Sequence, residues 1–399
     1  MNSDAQKYAL RGVSANKSEV HEAIKDLDKG LYPLAFCKIL PDFAAGDADY
    51  CNIMHADTAG TKTSLAYLYW KETGDLDVWR GIVQDSIVMN LDDMACVGCY
   101  QDIILSSTVG RNKNLISGDV IKTIIQEGVD FAEKMKTYGI NLHLAGGETA
   151  DVGDIVRTID VGFTAFARMK RKSLIVNNIQ AGNVIVGFAS YGQSTYENTY
   201  NGGMGSNGLT SARHDVLSAL YAEKYPDSFD ANTPREVVYT GSKKLTDLIS
   251  IDGKDYTIGK LLLSPTRTFL PLIKSILENF GQNDPNTEGG ISGIIHSTGG
   301  GQTKVLKFVK NKHIIKNNLL DVPPLFKMIQ AESNTDWREM YQVFNMGTRL
   351  EFYCAANTAQ QLIEIGKTFN IEGKIIGYVE NTEEGERLTL QSPHGTFHY

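Results

Sequence analysis

The residues of this chain best suited to chemistry are acids set beside glycines and other small residues. Asp57 stands in His55-Ala56-Asp57-Thr58-Ala59-Gly60-Thr61-Lys62, where a short extended run meets a small-residue turn and a lysine. A carboxylate and an ammonium so placed could hold Mg²⁺ and a nucleotide phosphate together. Asp92-Asp93 interrupts the otherwise apolar helical run Met89-Asn90-Leu91-Asp92-Asp93-Met94-Ala95-Cys96. Unpaired buried carboxylates are costly, and a metal would relieve that cost. Glu148 follows Gly146-Gly147 and precedes Thr149-Ala150, just after a brief strand. Taken singly, each acid suits a cap or a turn better than a ligand position. Together, hard oxygen donors from separate segments, without a His/Cys cluster, suit Mg²⁺ and a phosphate-bearing substrate rather than zinc or iron.

Three other motifs carry less. Gly203-Met204-Gly205-Ser206-Asn207-Gly208 has the G-x-G-x-x-G spelling, but the preceding strand ends near Ala189, too far upstream for a dinucleotide fingerprint. An anion-binding loop at a helix start fits it better. Gly60-Thr61-Lys62-Thr63 resembles the tail of a phosphate-binding loop, yet Thr61 separates the glycine from the lysine. Cys96-Val97-Gly98-Cys99 has redox or zinc spacing without a second pair, so buried thiols of a packed helix are the plainer reading.

These residues need elements to position them. Apolar periodicity predicts a helix over Ser18–Leu34, a strand over Cys51–His55 and a long helix from Val78 to about Cys99. A buried strand over Ile103–Val109 follows, then a helix over Ser117–Gly139, a short strand Leu142–Leu144 ending at the Gly146-Gly147 turn, and a strand over Val156–Met169. A basic and polar stretch places a domain boundary near residue 178. Beyond it come a strand Val184–Ala189, a loop over 190–208, a helix from about Thr210 to Tyr225 and a polar insertion over 223–259 that reads as a surface excursion. Pro265-Thr266-Arg267 opens another helix. Strands follow at Ile291–His296, Arg349–Ala355 and Ile375–Val379, with a helix over Thr358–Phe369.

The composition of the 399 residues is that of an ordinary globular chain of two or three domains, with 42% hydrophobic and 22% charged residues. Thirty-nine basic against 47 acidic residues leave a net charge of −8, which argues against nucleic acid as a partner. No run approaches the ~18 apolar residues of a membrane span, and the start lacks a signal-peptide core, so a cytoplasmic location is expected. Five cysteines are too few and too odd in number for a disulfide framework, so reduced thiols are expected.

The acidic blocks are part of a longer ordered series. Asp57-Thr58-Ala59-Gly60-Thr61-Lys62, Asp92-Asp93, Gly146-Gly147-Glu148-Thr149-Ala150, Ser206-Asn207-Gly208, Pro265-Thr266-Arg267, His296-Ser297-Thr298-Gly299-Gly300-Gly301 and Glu339-Met340-Tyr341-Gln342-Val343-Phe344-Asn345-Met346-Gly347 occur in that order. In sequence and spacing they resemble the D-G-V-G-T-K, N-D, G-G-E-T-A, S-N-G, P-T-R, H-x-T-G-G-G and E-M-x-x-x-F-N-x-G blocks of the phosphoribosylformylglycinamidine cyclo-ligases, also called aminoimidazole ribonucleotide synthetases. The resemblance spans nearly the whole chain. It implies an α/β fold of the α+β type in two domains. Residues 1–178 would form an N-terminal ATP/Mg-binding domain whose mixed sheet pairs in a homodimer. Residues 179–399 would form a C-terminal substrate-binding α/β sandwich with its sheet covered by helices.

The implied reaction is ATP-dependent closure of formylglycinamidine ribonucleotide to aminoimidazole ribonucleotide, a ligase step of purine biosynthesis that forms a C–N bond after phosphorylation of the formyl oxygen. The resemblance assigns Asp57, Asp93 and Glu148 to Mg²⁺ and Asp57, Thr58, Gly60, Thr61, Lys62, Asp93, Gly146, Gly147, Glu148 and Thr149 to ATP. It assigns Ser206, Asn207, Gly208, Arg267, Thr298, Gly299, Gly300 and Gly301 to the substrate, and Lys62 and His296 to catalysis.

Departures stand beside the matches. Gly205 replaces the histidine of the family's H-S-N-G, with His55 a possible substitute, and Asp92 replaces an asparagine. Related kinases, selenophosphate synthetases and hydrogenase-maturation dehydratases share such acidic ATP sites. The selenophosphate enzymes carry a reactive Cys or selenocysteine in a glycine-rich N-terminal segment and the dehydratases a C-terminal cysteine; here Cys37 lies in an apolar run and the chain ends Phe397-His398-Tyr399. The kinases lack the E-M-x-x-x-F-N-x-G block. A silent nucleotide-binding protein is the other alternative, against which the retained acids argue.

Overall fold

The computed structural model describes residues 9–12, 22–280 and 290–399. Two mixed sheets organise them. The first is built from β1 (Ile39–Pro41), β2 (Tyr50–Thr58), β3 (Ile103–Arg111), β4 (Leu142–Asp151) and β5 (Ile159–Lys170), in the order β1-β2-β5-β3-β4. Only β3 and β4 run parallel. On one face lie the helices α1 (Lys62–Thr73), α2 (Val78–Ala95) and α3 (Gly118–Lys136). Odd-numbered residues of β2 such as Cys51 and Ile53 point under them and are fully buried, whereas Met54 stays 61% exposed. Alternation along a pleated strand puts these two sets on opposite faces.

The chain crosses to the second sheet between Lys170 and Val184. There follow β6 (Val184–Ala189), the two-residue ribbon β7 (Tyr191–Gly192) and β8 (Asn201–Gly202), α4 (Leu209–Val216), α5 (Leu220–Lys224), the hairpin β9 (Leu248–Ile251) and β10 (Lys254–Thr257), α6 (Ile258–Leu262) and α7 (Leu270–Phe280). The last part holds β11 (Ile291–His296), a 3-10 helix Gly301–Phe308, β12 (Lys312–Lys316), α8 (Pro324–Ser333), α9 (Trp337–Val343), β13 (Thr348–Cys354), α10 (Ala356–Thr368), β14 (Gly373–Asn381), β15 (Arg387–Ser392) and β16 (Gly395–His398). The seven-stranded sheet runs β11-β13-β6-β14-β12-β15-β16. Apolar side chains pack its centre, where Val186 and Phe188 of β6 and Phe352 of β13 are buried and α10 covers β6 and β14, while Lys316 and Glu351 form a buried ion pair within the sheet.

Four sequence expectations are corrected. Of the helix expected over Ser18–Leu34, the described part is helical only over residues 22–24 and then turns. The Gly146-Gly147 turn is instead the interior of β4, which continues to Asp151. Gly147 is required there because a Cβ would lie 2.1 Å from the Ser107 carbonyl oxygen, at a register shift between β3 and β4. The single helix expected over 210–225 is broken at Leu217–Ser218, whose backbone is captured by bridges to Lys243 and Gly241. The insertion over 223–259 is no surface excursion, since Phe229, Val238, Tyr239 and Leu245 are buried. It is tied to α1 by Glu72, which accepts from Lys224 Nζ at 2.6 Å and from the Tyr225 hydroxyl at 2.7 Å.

Candidate active site

The acids of α2 recur at 85, 92 and 93, a spacing that sets them on one helix face. That face meets the second sheet. Asp85 Oδ1 accepts from Lys62 Nζ (2.8 Å), Thr266 N (2.7 Å) and Thr266 Oγ1 (2.6 Å). Asp92 accepts from Thr268 Oγ1 (2.7 Å) and Phe269 N (2.9 Å), just ahead of α7, where the positive end of the helix dipole favours an anion. Burial raises its pKa all the same. The expected need for a metal at Asp92-Asp93 is thereby corrected: the second half of the chain supplies the partners.

Asp93 bridges two imidazoles. Its Oδ1 lies 2.7 Å from His296 Nδ1 and its Oδ2 lies 3.4 Å from His55 Nε2. His55 Nδ1 in turn lies 2.9 Å from Asn90 Oδ1. Burial opposes the carboxylate charge, but the two imidazoles outweigh it and Asp93 is held below the usual carboxylate range. At His55 the same contest runs the other way: burial lowers its pKa, Asp93 raises it, and the net shift is upward. His296 Nε2 is buried without a hydrogen-bond partner, so the ring has one nitrogen fixed by Asp93 and one left for a reacting group.

Two glycine-bearing loops line this junction. Gly208 caps α4 in a left-handed conformation (φ 77°), and a Cβ there would strike the Phe344 ring at 2.4 Å. Asn207 Nδ2 lies 3.4 Å from where a Cβ on Gly299 would be, so the Ser206–Gly208 loop and the Thr298–Gly301 turn face each other. Gly300 and Gly301 both have positive φ, which lets the turn double back over β11. Ser206 Oγ is buried without a partner. Across the same junction Thr61 Oγ1 lies 2.7 Å from Thr210 Oγ1, tying the Asp57–Lys62 turn to α4.

Residues 39–169 match the family described as AIR synthase related protein, N-terminal domain. The first sheet and its helices thus carry the likeness to that family's N-terminal domain. It is 27% identical over 375 residues to the phosphoribosylformylglycinamidine cyclo-ligase of Methanococcus vannielii, spanning 93% of this chain and 88% of the relative. With the cyclo-ligase of Methanococcoides burtonii it shares 26% over 400 residues, 97% of this chain and 98% of the relative. Among solved structures, a chain of a HypE–HypF complex superposes with a TM-score of 0.53 at 14% identity, covering 95% of this chain and 97% of that one. Thermotoga maritima PurL complexed with ADP gives 0.52 at 13%, covering 98% of this chain, which spans about half the length of that protein. At such identities the structural likeness speaks to fold alone.

The site is only partly as the sequence suggests. Asp57, half-buried at the end of β2, accepts from Thr58 N at 2.8 Å. Glu148 lies on the exposed edge strand β4 with Gly146, Gly147 and Thr149. The registers Asp57–Phe163, Phe163–Ser107 and Ser107–Gly147 put three strand spacings between them, about 14 Å. Within one chain, then, Asp57, Asp93 and Glu148 do not converge on one ion, and no metal-ligating group of three or more His, Cys, Asp or Glu occurs among the described residues. Lys62, expected on the phosphates and in catalysis, is fully buried between Asp85 and the Ser264 carbonyl (2.6 Å). Arg267, expected on the substrate, is also buried, and its three nitrogens donate to Glu197 and to the carbonyls of Ala189, Tyr191 and Gly192. Both corrections have one cause: long cations buried at a sheet junction are drawn to internal acceptors rather than held out toward a ligand. Cys96 and Cys99 are buried free thiols, the latter pushed up to about 12 by burial. The sequence reading did not single out Arg349, which lies fully buried in this junction; its signal was a charged residue inside the apolar strand β13.

Proposed function

We propose that the protein is an ATP-dependent cyclo-ligase that converts formylglycinamidine ribonucleotide to aminoimidazole ribonucleotide, ADP and phosphate, acting in the cytoplasm. The observation that carries this reading is the junction itself. His296, held by Asp93, stands at the end of β11 where the Thr298–Gly301 turn begins, facing the Ser206–Gly208 loop of a chain similar over nearly its full length to cyclo-ligases.

The chemistry follows from the groups present. A formyl oxygen is a poor leaving group; phosphorylating it replaces one high barrier by two lower ones, and the amidine nitrogen then attacks the activated carbon as phosphate departs. Backbone amides of Gly299, Gly300 and Gly301 and of Ser206, Asn207 and Gly208 suit the ribose phosphate, because glycine lets the backbone approach an anion. His296 holds or moves a proton at Nε2, its orientation fixed through Nδ1 by Asp93.

For ATP, the Asp57–Thr61 turn is the element that suits the phosphates. Asp57 is the residue that would hold a nucleotide-bound Mg²⁺, whose contribution is to neutralise charge on the transferring phosphoryl. One carboxylate with phosphate oxygens is an ordinary Mg²⁺ arrangement, whereas both oxygens of Asp93 are already committed to imidazoles. Glu148, Gly146, Gly147 and Thr149 reach such a nucleotide if the first sheet pairs with that of a second chain. Its open face, with Met54 61% and Ile104 42% exposed, supports that homodimer.

The test incubates purified protein with ATP, Mg²⁺ and formylglycinamidine ribonucleotide and follows the aromatic amine by diazotisation beside ADP release. Equal amounts of amine and ADP are expected. ADP without amine would indicate a sibling kinase, and neither product would indicate a binding protein.

A further inference from the structure

Two guanidinium groups lie fully buried where the two halves of the chain meet, and they are used in opposite ways. Arg267 has an acceptor for every nitrogen. Arg349 donates only through Nη2, to the Arg267 carbonyl, and its Nε and Nη1 are buried with no partner. The neighbouring acids do not hydrogen-bond it: Asp92 is taken by Thr268 and Phe269, and Asp85 bonds Lys62 and Thr266 through Oδ1 while its Oδ2 is likewise buried without a partner. The face of the Phe269 ring lies 5.6 Å from its guanidinium carbon. Buried donors without acceptors are rare in folded proteins, and where they occur they call for an explanation such as a ligand.

The position of Arg349 supplies one. Its carbonyl accepts from Ser297 N at 2.7 Å, which places it beside the start of the Thr298–Gly301 turn, and the next residue, Leu350, pairs with His296. Its Nη1 is 3.4 Å from where a Cβ on residue 205 would be. Position 205 is the one at which the family's histidine is missing. The space a side chain there would enter is therefore bounded by a permanent cation. Ser206 Oγ and His296 Nε2, on the adjoining segments, are likewise buried without partners.

We propose that Arg349 is a substrate-binding residue of this site, its guanidinium standing beside the space left by Gly205 and donating through Nη1 to a phosphate-class oxyanion held on the Ser206–Gly208 loop. That this oxyanion belongs to a ribonucleotide rests on the cyclo-ligase reading; that the guanidinium takes an anion does not. Burial lowers the Arg349 pKa only to about 10, so the charge persists at neutral pH. A planar guanidinium with spare N–H groups suits phosphate oxygens.

The experiment uses the full chain and two readouts, calorimetric titration with inorganic phosphate and steady-state kinetics with the ribonucleotide and ATP. Arg349→Met should weaken phosphate binding by at least ~10-fold and raise KM for the ribonucleotide by roughly 10- to 100-fold, with ATP affinity within about twofold of wild type. Arg349→Lys should recover part of the loss. Unchanged phosphate affinity and KM in Arg349→Met would overturn the proposal, as would equal loss of every ligand, ATP included, in both variants. Should Arg349→Met fail to fold, Gly205→Val sets a branched side chain against Nη1 while keeping the charge, and the same two losses are expected. Wild-type values in Gly205→Val would then overturn the proposal. A wild-type protein that makes no amine removes the cyclo-ligase reading alone, because the phosphate titration still decides the role of Arg349.

Discussion

Lys62 illustrates what residue type and spacing can and cannot say. The block Gly60-Thr61-Lys62 identifies a conspicuous lysine, but only the fold discloses that its ammonium is fully buried against Asp85 and the Ser264 carbonyl. Desolvation lowers its pKa and Asp85 opposes that shift. Removing one partner of such a pair leaves an uncompensated buried charge, so Lys62→Met should destabilise the protein by about 3–5 kcal/mol in denaturant titrations. Lys62→Met combined with Asp85→Asn should recover a substantial part of that loss. A Lys62→Met protein of normal stability but without turnover would instead return the lysine to the phosphates. Asp92 and Asp93 were legible as anomalous, because two acids in an apolar helix need an explanation. Their partners Thr268, Phe269 and His296 lie 176 to 203 residues away, and His55 lies on another strand well upstream, separations that no local pattern carries.

Among the elements, a single apolar face made α3 legible and length made α2 legible although it is buried almost all round, while the short buried α1 was missed. α3 alternates buried Val120, Ile124, Phe131 and Met135 with exposed polar residues, and its period is plain in the sequence. α1 buries Thr63, Leu65, Ala66, Tyr67, Leu68 and Tyr69 on all sides, which erases the stripe that marks a surface helix. β4 was cut short by reading Gly146-Gly147 as turn punctuation, whereas those glycines admit the Ser107 backbone. A smaller staple at the other edge of the first sheet gives a pH prediction. Asp42, behind β1, accepts from Asn52 Nδ2 (2.9 Å) and pairs with Arg168 Nη2 of β5 (2.9 Å). The hydrogen bond from Arg168 holds its carboxyl well below the usual range. A depressed carboxylate stabilises the fold above its unfolded value of about 3.9, and that contribution is lost as pH falls through the folded value. The stability gap between wild type and Arg168→Gln should thus be full at neutral pH and close as pH drops below about 4, as followed by thermal unfolding across pH 2–7.

At the scale of the molecule, the composition and the ordered blocks pointed to two α/β halves, and the described residues form two large sheets beside two small ribbons. What spacing could not convey is which sheet face is left open. Met54 and Ile104 on the face opposite α2 are solvent-exposed in a single chain, an apolar surface of the kind that proteins cover by association. Met54→Glu together with Ile104→Glu should convert the proposed dimer to monomer by light scattering and weaken ATP binding at least ~10-fold if Glu148 acts across the interface. Monomers that bind ATP normally would separate assembly from nucleotide binding.

The stripe of acids along α2 has a mechanical consequence. Asp85, Asp92 and Asp93 bolt the first sheet to the second through buried, charge-assisted bonds spaced over two turns of one helix. Swinging one half away from the other would expose all three at once, so the two halves move as a single block and ligands come and go by the motion of lighter parts. One such part is the Thr298–Gly301 turn, which lies over the junction and can lift without drawing a carboxylate from its partner, whereas the 190–208 loop is held to Arg267 through Glu197.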